Sequence, residues 1–157
     1  MNRYGTRFWK GKSVVITGSS RGIGRETARL LGSLGATITL NGRNAERLEA
    51  TAALLRAEGI AVAHRAGSVE REDDMSRLMS LAADSFGGID ILINNAGLSM
   101  RGPFQEITAD LARTMCNANL VGALVATRAA LPYVSERRGS VLFISSAAGL
   151  RGFPNVS

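Results

Sequence analysis

Short apolar runs alternate with longer amphipathic stretches along most of this chain. Five apolar runs, bounded by polar residues or glycine, predict buried strands at residues 13–17, 37–40, 60–64, 89–93 and 140–144. Between them apolar residues recur at helical spacing, which predicts helices at residues 25–34, 45–58, 70–86 and about 108–138. Strands and helices that alternate without a long linker predict an α/β fold, a doubly wound parallel sheet with right-handed crossovers. We expect one domain over residues 1–157.

A glycine-rich turn joins the first predicted strand to the first predicted helix. Residues 17–24 read Thr-Gly-Ser-Ser-Arg-Gly-Ile-Gly, and their glycines remove side chains that would block a bulky anion or the neighbouring strand. Backbone N–H groups at the start of a helix are unpaired and lie at its positive end, so such a turn suits a phosphate. The spacing differs from the dinucleotide motif G-x-G-x-x-G, so this turn alone leaves open whether a cofactor binds.

Two further polar turns follow predicted strands. Residues 94–97 (Asn-Asn-Ala-Gly) follow the fourth strand, and residues 145–149 (Ser-Ser-Ala-Ala-Gly) follow the fifth. The carboxyl ends of parallel strands lie at one edge of the sheet, where ligands bind at the point at which the strand order reverses. We therefore expect the turns that contain Gly18, Asn95 and Ser146 to lie at that edge.

The composition is that of a globular protein. The chain has 157 residues, 45% of them hydrophobic, and a mean hydropathy of +0.07, which is enough for a buried core. No apolar run approaches the roughly 20 residues that span a bilayer, and residues 1–12 contain no apolar signal segment, so we expect a cytoplasmic protein without a membrane partner. The one cysteine, Cys116, lacks a positioned base and is interpreted as a small core residue and not as a nucleophile.

The positive charge is confined to the first third of the chain. The net charge is +6; residues 1–47 carry nine Lys or Arg against two Glu, and residues 48–157 carry ten basic against eleven acidic residues. The excess surrounds the glycine-rich turn and lacks the interleaved aromatic residues of a base-stacking surface. A polyphosphate cofactor explains this placement better than nucleic acid does. A solvated basic tail accounts for part of the excess, at Arg3, Arg7, Lys10 and Lys12.

The turn after the second predicted strand bears on the identity of the cofactor. A site for NAD has a carboxylate there, about 20 residues beyond the first glycines, to bind the ribose 2′-hydroxyl. Gly42 stands at this place, with Arg43 beside it and Arg21 in the first turn. Two guanidiniums without a carboxylate favour a 2′-phosphate, which they can bind in a bidentate manner. NADP(H) is therefore preferred, NAD(H) is the alternative cofactor, and a merely solvated Arg43 is the alternative interpretation.

Together these motifs resemble the short-chain dehydrogenase/reductase family, of the classical type, over the whole chain. The matching segments are residues 17–24, 94–97, 119–122 (Asn-Leu-Val-Gly) and 145–149, in the family's order and on the expected elements. Several such matches are more specific than any single motif. The resemblance implies a Rossmann-type domain and hydride transfer between a nicotinamide and a ketone or secondary alcohol. It also implies homo-oligomers that pair through the helical region 108–138.

The resemblance also assigns site residues. It implies that the coenzyme is bound by Gly18, Ser19, Ser20, Arg21, Gly22, Ile23, Gly24, Arg43, Asn95, Ala96 and Gly97. It makes Ser146 the catalytic serine and Asn119 the asparagine of a proton relay, with Asn94 bracing the sheet. At the adenine, the family's usual aspartate before a valine is replaced by Ser68 before Val69, so the contact there loses charge assistance. Taken alone, Ser145 and Ser146 are explained equally well as a polar turn. No metal site is predicted.

The catalytic tyrosine and lysine of the family would fall after residue 157. Tyr4 and Tyr133 do not match the pattern, and Tyr133 is interpreted as a packing residue. We therefore expect these residues to be the coenzyme-binding part of a longer reductase, inactive by itself. A nucleotide-binding module without catalytic activity is the alternative.

Overall fold

A computed structural model describes residues 5–99 and 102–152. Its strands are β1 (Ser13–Ile16), β2 (Thr37–Gly42), β3 (Val62–Ala66), β4 (Ile91–Asn94) and β5 (Ser140–Phe143). They form one sheet in the order β3-β2-β1-β4-β5, and every neighbouring pair is parallel. The predicted doubly wound parallel sheet is confirmed. Because the chain crosses from one side of β1 to the other between β3 and β4, the strand order reverses between β1 and β4.

The helices cover both faces of this sheet. They are α1 (Gly5–Trp9), α2 (Gly22–Ser33), α3 (Ala45–Ala57), α4 (Glu72–Phe86), α5 (Ala109–Cys116) and α6 (Gly122–Glu136). Short 3-10 turns occur at Phe104–Glu106 and Ala147–Gly149. The predicted helical region 108–138 is divided, because a π turn at Asn117–Val121 connects α5 to α6. Apolar periodicity continues through this turn, so the sequence pattern did not predict it.

Two apolar clusters form the core, one on each face of the sheet. Val14 and Ile16 of β1 pack on one face with residues of α2 and α3, such as Leu31 and Leu48. Val15 packs on the other face with residues of α4 and α6. All of β1 is therefore buried, and its residues after Ser13 are apolar, as expected for a central parallel strand that is covered on both sides.

Three local predictions differ from the structure. Strand β3 starts two residues later than predicted because Ile60 N bonds to Leu55 O at 3.1 Å and so still belongs to the end of α3. Lys12 is not part of a solvated tail, since its Nζ lies 2.9 Å from Asp90 Oδ1. Cys116 is exposed and is not a core residue. Tyr133 does pack against the core, as predicted.

Asp90 links the amino ends of β1 and β4 and gives a prediction for pH dependence. Burial alone would raise the pKa of this carboxyl, but the hydrogen bonds from Ser13 N and Lys12 Nζ, each 2.9 Å, outweigh it and lower the pKa below the ordinary value. Since the folded pKa is below the unfolded one, the stabilisation is complete above the unfolded pKa and is lost as pH falls through the folded pKa.

We expect Asp90→Asn to lower the free energy of unfolding at pH 7 by about 1–3 kcal/mol, because the substitution removes charge-assisted hydrogen bonds. Urea unfolding between pH 7 and pH 2 should show this difference shrinking as the medium becomes acidic. The control is Glu136→Gln, since Glu136 is exposed and has no ion pair with another described residue. If the difference in the free energy of unfolding between wild type and Asp90→Asn does not change with pH, the lowered pKa of Asp90 is contradicted.

Candidate functional site

A cleft of about 460 Å3 opens at the carboxyl ends of β1, β2 and β4, where the strand order reverses. Most of the predicted coenzyme residues line it, namely Gly18, Ser20, Arg21, Gly22, Ile23, Arg43, Ser68, Val69, Asn95, Ala96 and Gly97. Residues that the motifs did not single out also line it, including Asn41, Arg47, Glu70, Leu98 and Ala118. Residues from four separate turns therefore meet in one concave site, as expected for a ligand cleft.

The glycine-rich turn leaves β1 in a conformation that needs glycine. Gly18 has φ +63°, and a Cβ at this position would lie 2.6 Å from Ala96 Cα. Gly22 has φ +56° and begins α2, and a Cβ there would meet nothing within 4 Å. Arg21, the N-cap of α2, caps no amide with its side chain. The N-cap side chain therefore leaves the first amides of α2 uncapped, and the space beside Gly22 is open, an arrangement that suits an anion.

Ser19 and Gly24, two further predicted coenzyme residues, lie beneath the cleft. Ser19 is completely buried; its Oγ donates to Ile16 O at 2.7 Å and accepts from Asn41 N at 3.0 Å. A Cβ at Gly24 would lie 2.5 Å from Asn95 Nδ2 and 2.7 Å from Gly18 O. The Ser19 side chain thus ties the turn to β2, and Gly24 allows α2 to approach the turn closely.

The turn after β4 is bonded directly to the glycine-rich turn. Thr17 Oγ1 accepts from Asn95 N at 3.1 Å and from Ala96 N at 3.0 Å. Asn95 Nδ2 donates to Thr17 O and to Gly18 O, each at 3.0 Å. These bonds hold two walls of the cleft in register. Asn94 Nδ2 donates to Thr127 Oγ1 at 3.0 Å, which braces β4 against α6.

One side of the cleft is strongly basic. Arg21, Arg43 and Arg47 line it, all exposed, and none of them forms an ion pair with another residue that the structure describes. Glu70 is the one acid among the described lining residues. Arg47 was missed in the sequence because a charged residue in an amphipathic helix is usually solvated. The sequence feature that could have indicated Arg47 as a cleft residue is its position four residues after Arg43, at the start of the next helix.

The Ser68–Val69 segment forms another part of the wall. Ser68 N donates to Asp74 Oδ2 at 2.9 Å, and Ser68 Oγ accepts from Glu70 N at 3.4 Å. Val69 is buried against Gly122, where a Cβ would lie within 2.4 Å of Val69 Cγ2. The start of α6 therefore fixes the position of this wall.

Asn119 lies in the π turn and contacts the cleft indirectly. Its Oδ1 accepts from Leu98 N at 2.7 Å, and its Nδ2 donates to Leu98 O at 2.8 Å. Both polar ends of the side chain are therefore occupied by one residue of the cleft wall. Asn119 itself is not among the lining residues.

Ser146 follows β5 at the same edge of the sheet. Ile144 N bonds to Asn94 O at 2.9 Å, which keeps the chain paired with β4 just past the end of β5. Ser146 is exposed, and its Oγ accepts from Ala148 N at 3.1 Å, so it caps the 3-10 turn Ala147–Gly149. The structure brings Ser146 to the predicted edge but not into the lining of the cleft.

The described residues lack two other kinds of feature. Within residues 5–99 and 102–152, no three His, Cys, Asp or Glu side chains group closely enough to hold a metal ion. Over the same residues, no helix combines the length and apolar character needed to cross a bilayer.

A parallel sheet with a glycine-rich turn at its switch point defines a Rossmann-type α/β domain. This chain belongs to the short-chain dehydrogenase family, because residues 12–157 match the family described as short chain dehydrogenase. The predicted family is therefore confirmed.

Curated relatives and a solved structure resemble the chain over most of its length. An uncharacterised oxidoreductase of Listeria monocytogenes is 32% identical over 146 residues, which are 92% of this chain and 59% of the relative. A ketoacyl reductase of Nostoc is 36% identical over 143 residues, 90% of this chain and 50% of the relative. A short-chain dehydrogenase/reductase mutant of Serratia marcescens superposes with a TM-score of 0.84 at 28% identity, covering 94% of this chain and 60% of that one. The chain thus spans between half and about 60% of these proteins.

Proposed function

We propose that this chain is the coenzyme-binding part of an NADP(H)-dependent oxidoreductase that transfers hydride between the nicotinamide and a ketone or secondary alcohol. The observation that carries the proposal is the charge of the cleft. Arg21 and Arg43 line it without ion pairs among the described residues, and Gly42 occupies the position of the carboxylate that binds the ribose of NAD. Membership of the short-chain dehydrogenase family supports the type of reaction.

The residues present fit a phosphorylated dinucleotide. The amides that begin α2 have no cap from the Arg21 side chain, and the space beside Gly22 is open, so these amides can bind a pyrophosphate. A Cβ at Gly42 would lie 3.0 Å from Ser20 Oγ, so a side chain at this position would require the Ser20 side chain to shift. When bound, the coenzyme supplies the hydride chemistry, and the protein supplies binding and orientation.

Two residues outside the lining of the cleft complete the proposal. Ser146 donates a hydrogen bond to the carbonyl oxygen of the substrate, where negative charge develops during reduction. Asn119 is the asparagine of the proton relay, and its two bonds to Leu98 also make it a positioning residue for the cleft wall. Ser68 and Val69 lie beside the adenine.

Arg43→Asp is expected to change the coenzyme preference. The variant loses a guanidinium and gains a carboxylate that repels a 2′-phosphate, so the ratio of the Kd for NADH to the Kd for NADPH should fall by about tenfold, or about 1.4 kcal/mol. Calorimetry with both coenzymes measures this ratio. The control Arg7→Asp makes the same charge change at an exposed residue of α1 that does not line the cleft. An unchanged ratio in Arg43→Asp would reject the 2′-phosphate assignment.

The reaction is tested in two stages. The 157-residue chain should bind NADPH without turnover. A polypeptide that also contains the tyrosine and lysine of the family pattern should oxidise NADPH when a suitable ketone is added, seen as loss of nicotinamide absorbance. Binding without turnover on a broad panel of ketones and alcohols would favour the non-catalytic nucleotide-binding module. Absence of binding would reject both functions.

The remaining parts of the proposal concern the whole protein. It acts in the cytoplasm on a small-molecule carbonyl or alcohol, with no nucleic acid or membrane partner, and forms a homo-oligomer. Exposed apolar side chains support pairing through the region 108–138, since Leu120, Leu124 and Leu131 are 60%, 57% and 53% exposed. Light scattering on the purified protein tests the oligomer, and a monomer at micromolar concentration would reject this part.

A further inference from the structure

A second groove adjoins the cleft on its basic side. It has a volume of about 450 Å3 and lies between the start of α2 and the face of α3 that runs from Arg47 to Leu54. Arg21, Arg25 and Arg47 line this groove, and no acidic residue does. Ser20, Arg21 and Arg47 line both the groove and the cleft, so the two spaces join at these side chains.

Arg47 stands where a cation is electrostatically unfavourable. Its N–H donates to Asn44 Oδ1 at 2.7 Å, which fixes Arg47 in the first turn of α3. The first turn of a helix carries partial positive charge, so a cation there lowers helix stability and a nearby anion restores it. Residues that oppose such a local preference are expected at functional sites.

The arginines that line the groove differ in whether they have an acidic partner among the described residues. Arg25 forms an exposed ion pair, in which its Nη2 lies 2.9 Å from Glu26 Oε1. Arg47 forms no ion pair within the part of the chain that the structure describes, and neither does Arg21. The positive charge at the junction is therefore uncompensated by protein carboxylates among its lining residues, which favours a ligand with a compact negative charge.

We propose that Arg47 binds the 2′-phosphate of NADP(H) from the groove side and is a specificity-determining residue in addition to Arg43. This inference rests on the proposed function, because it requires NADP(H) in the cleft. Arg43 lines the cleft alone, whereas Arg21 and Arg47 line both spaces. A 2′-phosphate that extends from the cleft to the place where the two spaces join would meet Arg21 and Arg47, whereas the 2′-hydroxyl of NADH offers Arg47 no negative charge.

Arg47→Gln tests this inference by calorimetry with NADPH, NADH and 2′,5′-ADP. The Kd for NADPH and for 2′,5′-ADP should rise about tenfold, as expected for one charge-assisted contact, while the Kd for NADH changes by less than about twofold. The thermal midpoint without coenzyme should stay the same or rise, because a cation has left the first turn of α3. Arg25→Gln is the matched control, since Arg25 lines the groove only and is paired; it should change each Kd by less than about twofold.

The outcomes separate this inference from the function on which it rests. If wild type prefers NADPH and Arg47→Gln binds it equally well, the role of Arg47 is rejected and the proposed function stands. An equal loss for NADPH and NADH in Arg47→Gln also rejects it, because the effect is then independent of the 2′-phosphate. If wild type binds neither coenzyme, the proposed function and this inference both fail.

Discussion

Replacing Gly18 with alanine is expected to lower the free energy of unfolding by about 2–4 kcal/mol and to abolish coenzyme binding. Gly18 has φ +63°, which strains any residue with a Cβ. The added Cβ would also lie 2.6 Å from Ala96 Cα and 3.0 Å from Ala96 N, and backbone atoms cannot move aside as a flexible side chain can. The two walls of the cleft would be forced apart, and the bonds from Asn95 Nδ2 to the glycine-rich turn would be lost.

Gly22→Ala is the matched control for this prediction. Gly22 has φ +56°, close to that of Gly18, but its added Cβ would meet nothing within 4 Å. Gly22→Ala therefore measures backbone strain alone, about 1–2 kcal/mol. Urea unfolding of both variants without coenzyme gives the comparison. If both substitutions lower the free energy of unfolding equally, the contact between the added Cβ and Ala96 does not contribute to the destabilisation by Gly18→Ala.

The strands were predictable because burial leaves a pattern in the sequence. β1 and β2 begin at the predicted residues, since the core covers both faces of these strands and they are rich in apolar and β-branched residues. β3 is an edge strand, intermediate or exposed along its length, so its apolar pattern is weaker. Ile60 was assigned to it although this residue closes α3.

The approximate location of the site was also predictable, but the direction of its side chains was not. Motifs identify turns at the carboxyl edge of a parallel sheet, and topology brings such turns together. Ser19 shows the limit: it lies in the motif, yet its hydroxyl bonds inward to Ile16 O. The same sequence is compatible with a Ser19 hydroxyl that faces a ligand. Only the path of the backbone determines whether the hydroxyl points inward or toward the cleft.

The position of Asn119 depended on a helix irregularity that periodicity cannot show. The π turn at Asn117–Val121 changes the rotation of the chain within an otherwise continuous helical pattern. In this turn the side chain of Asn119 bonds to both backbone groups of Leu98, at 2.7 and 2.8 Å. Because such π turns are frequent at functional sites, this turn is a reason to test the role proposed for Asn119.

Ser146→Ala is expected to lower kcat for ketone reduction by about 100-fold or more while leaving the Kd for NADPH unchanged. Ser146 Oγ already accepts a hydrogen bond from Ala148 N at 3.1 Å, so its O–H hydrogen is free to be donated to a substrate oxygen. Removing one donor to a developing oxyanion typically costs 10²- to 10³-fold in kcat, roughly the effect expected here. The assay uses a polypeptide that contains the tyrosine and lysine of the family pattern.

Two further variants separate catalysis from the capping of the 3-10 turn. Ser146→Thr keeps a hydroxyl and should have part of the activity that Ser146→Ala loses. In Ser146→Ala, loss of the cap on the 3-10 turn would by itself lower the free energy of unfolding by only about 1 kcal/mol. Ser145→Ala changes the neighbouring serine in the same turn and should alter kcat by less than about threefold, because no substrate contact is proposed for it. If Ser146→Ala and Ser145→Ala have the same kcat, the hydroxyl of Ser146 does not stabilise the reacting oxygen, and the polar-turn interpretation explains both serines.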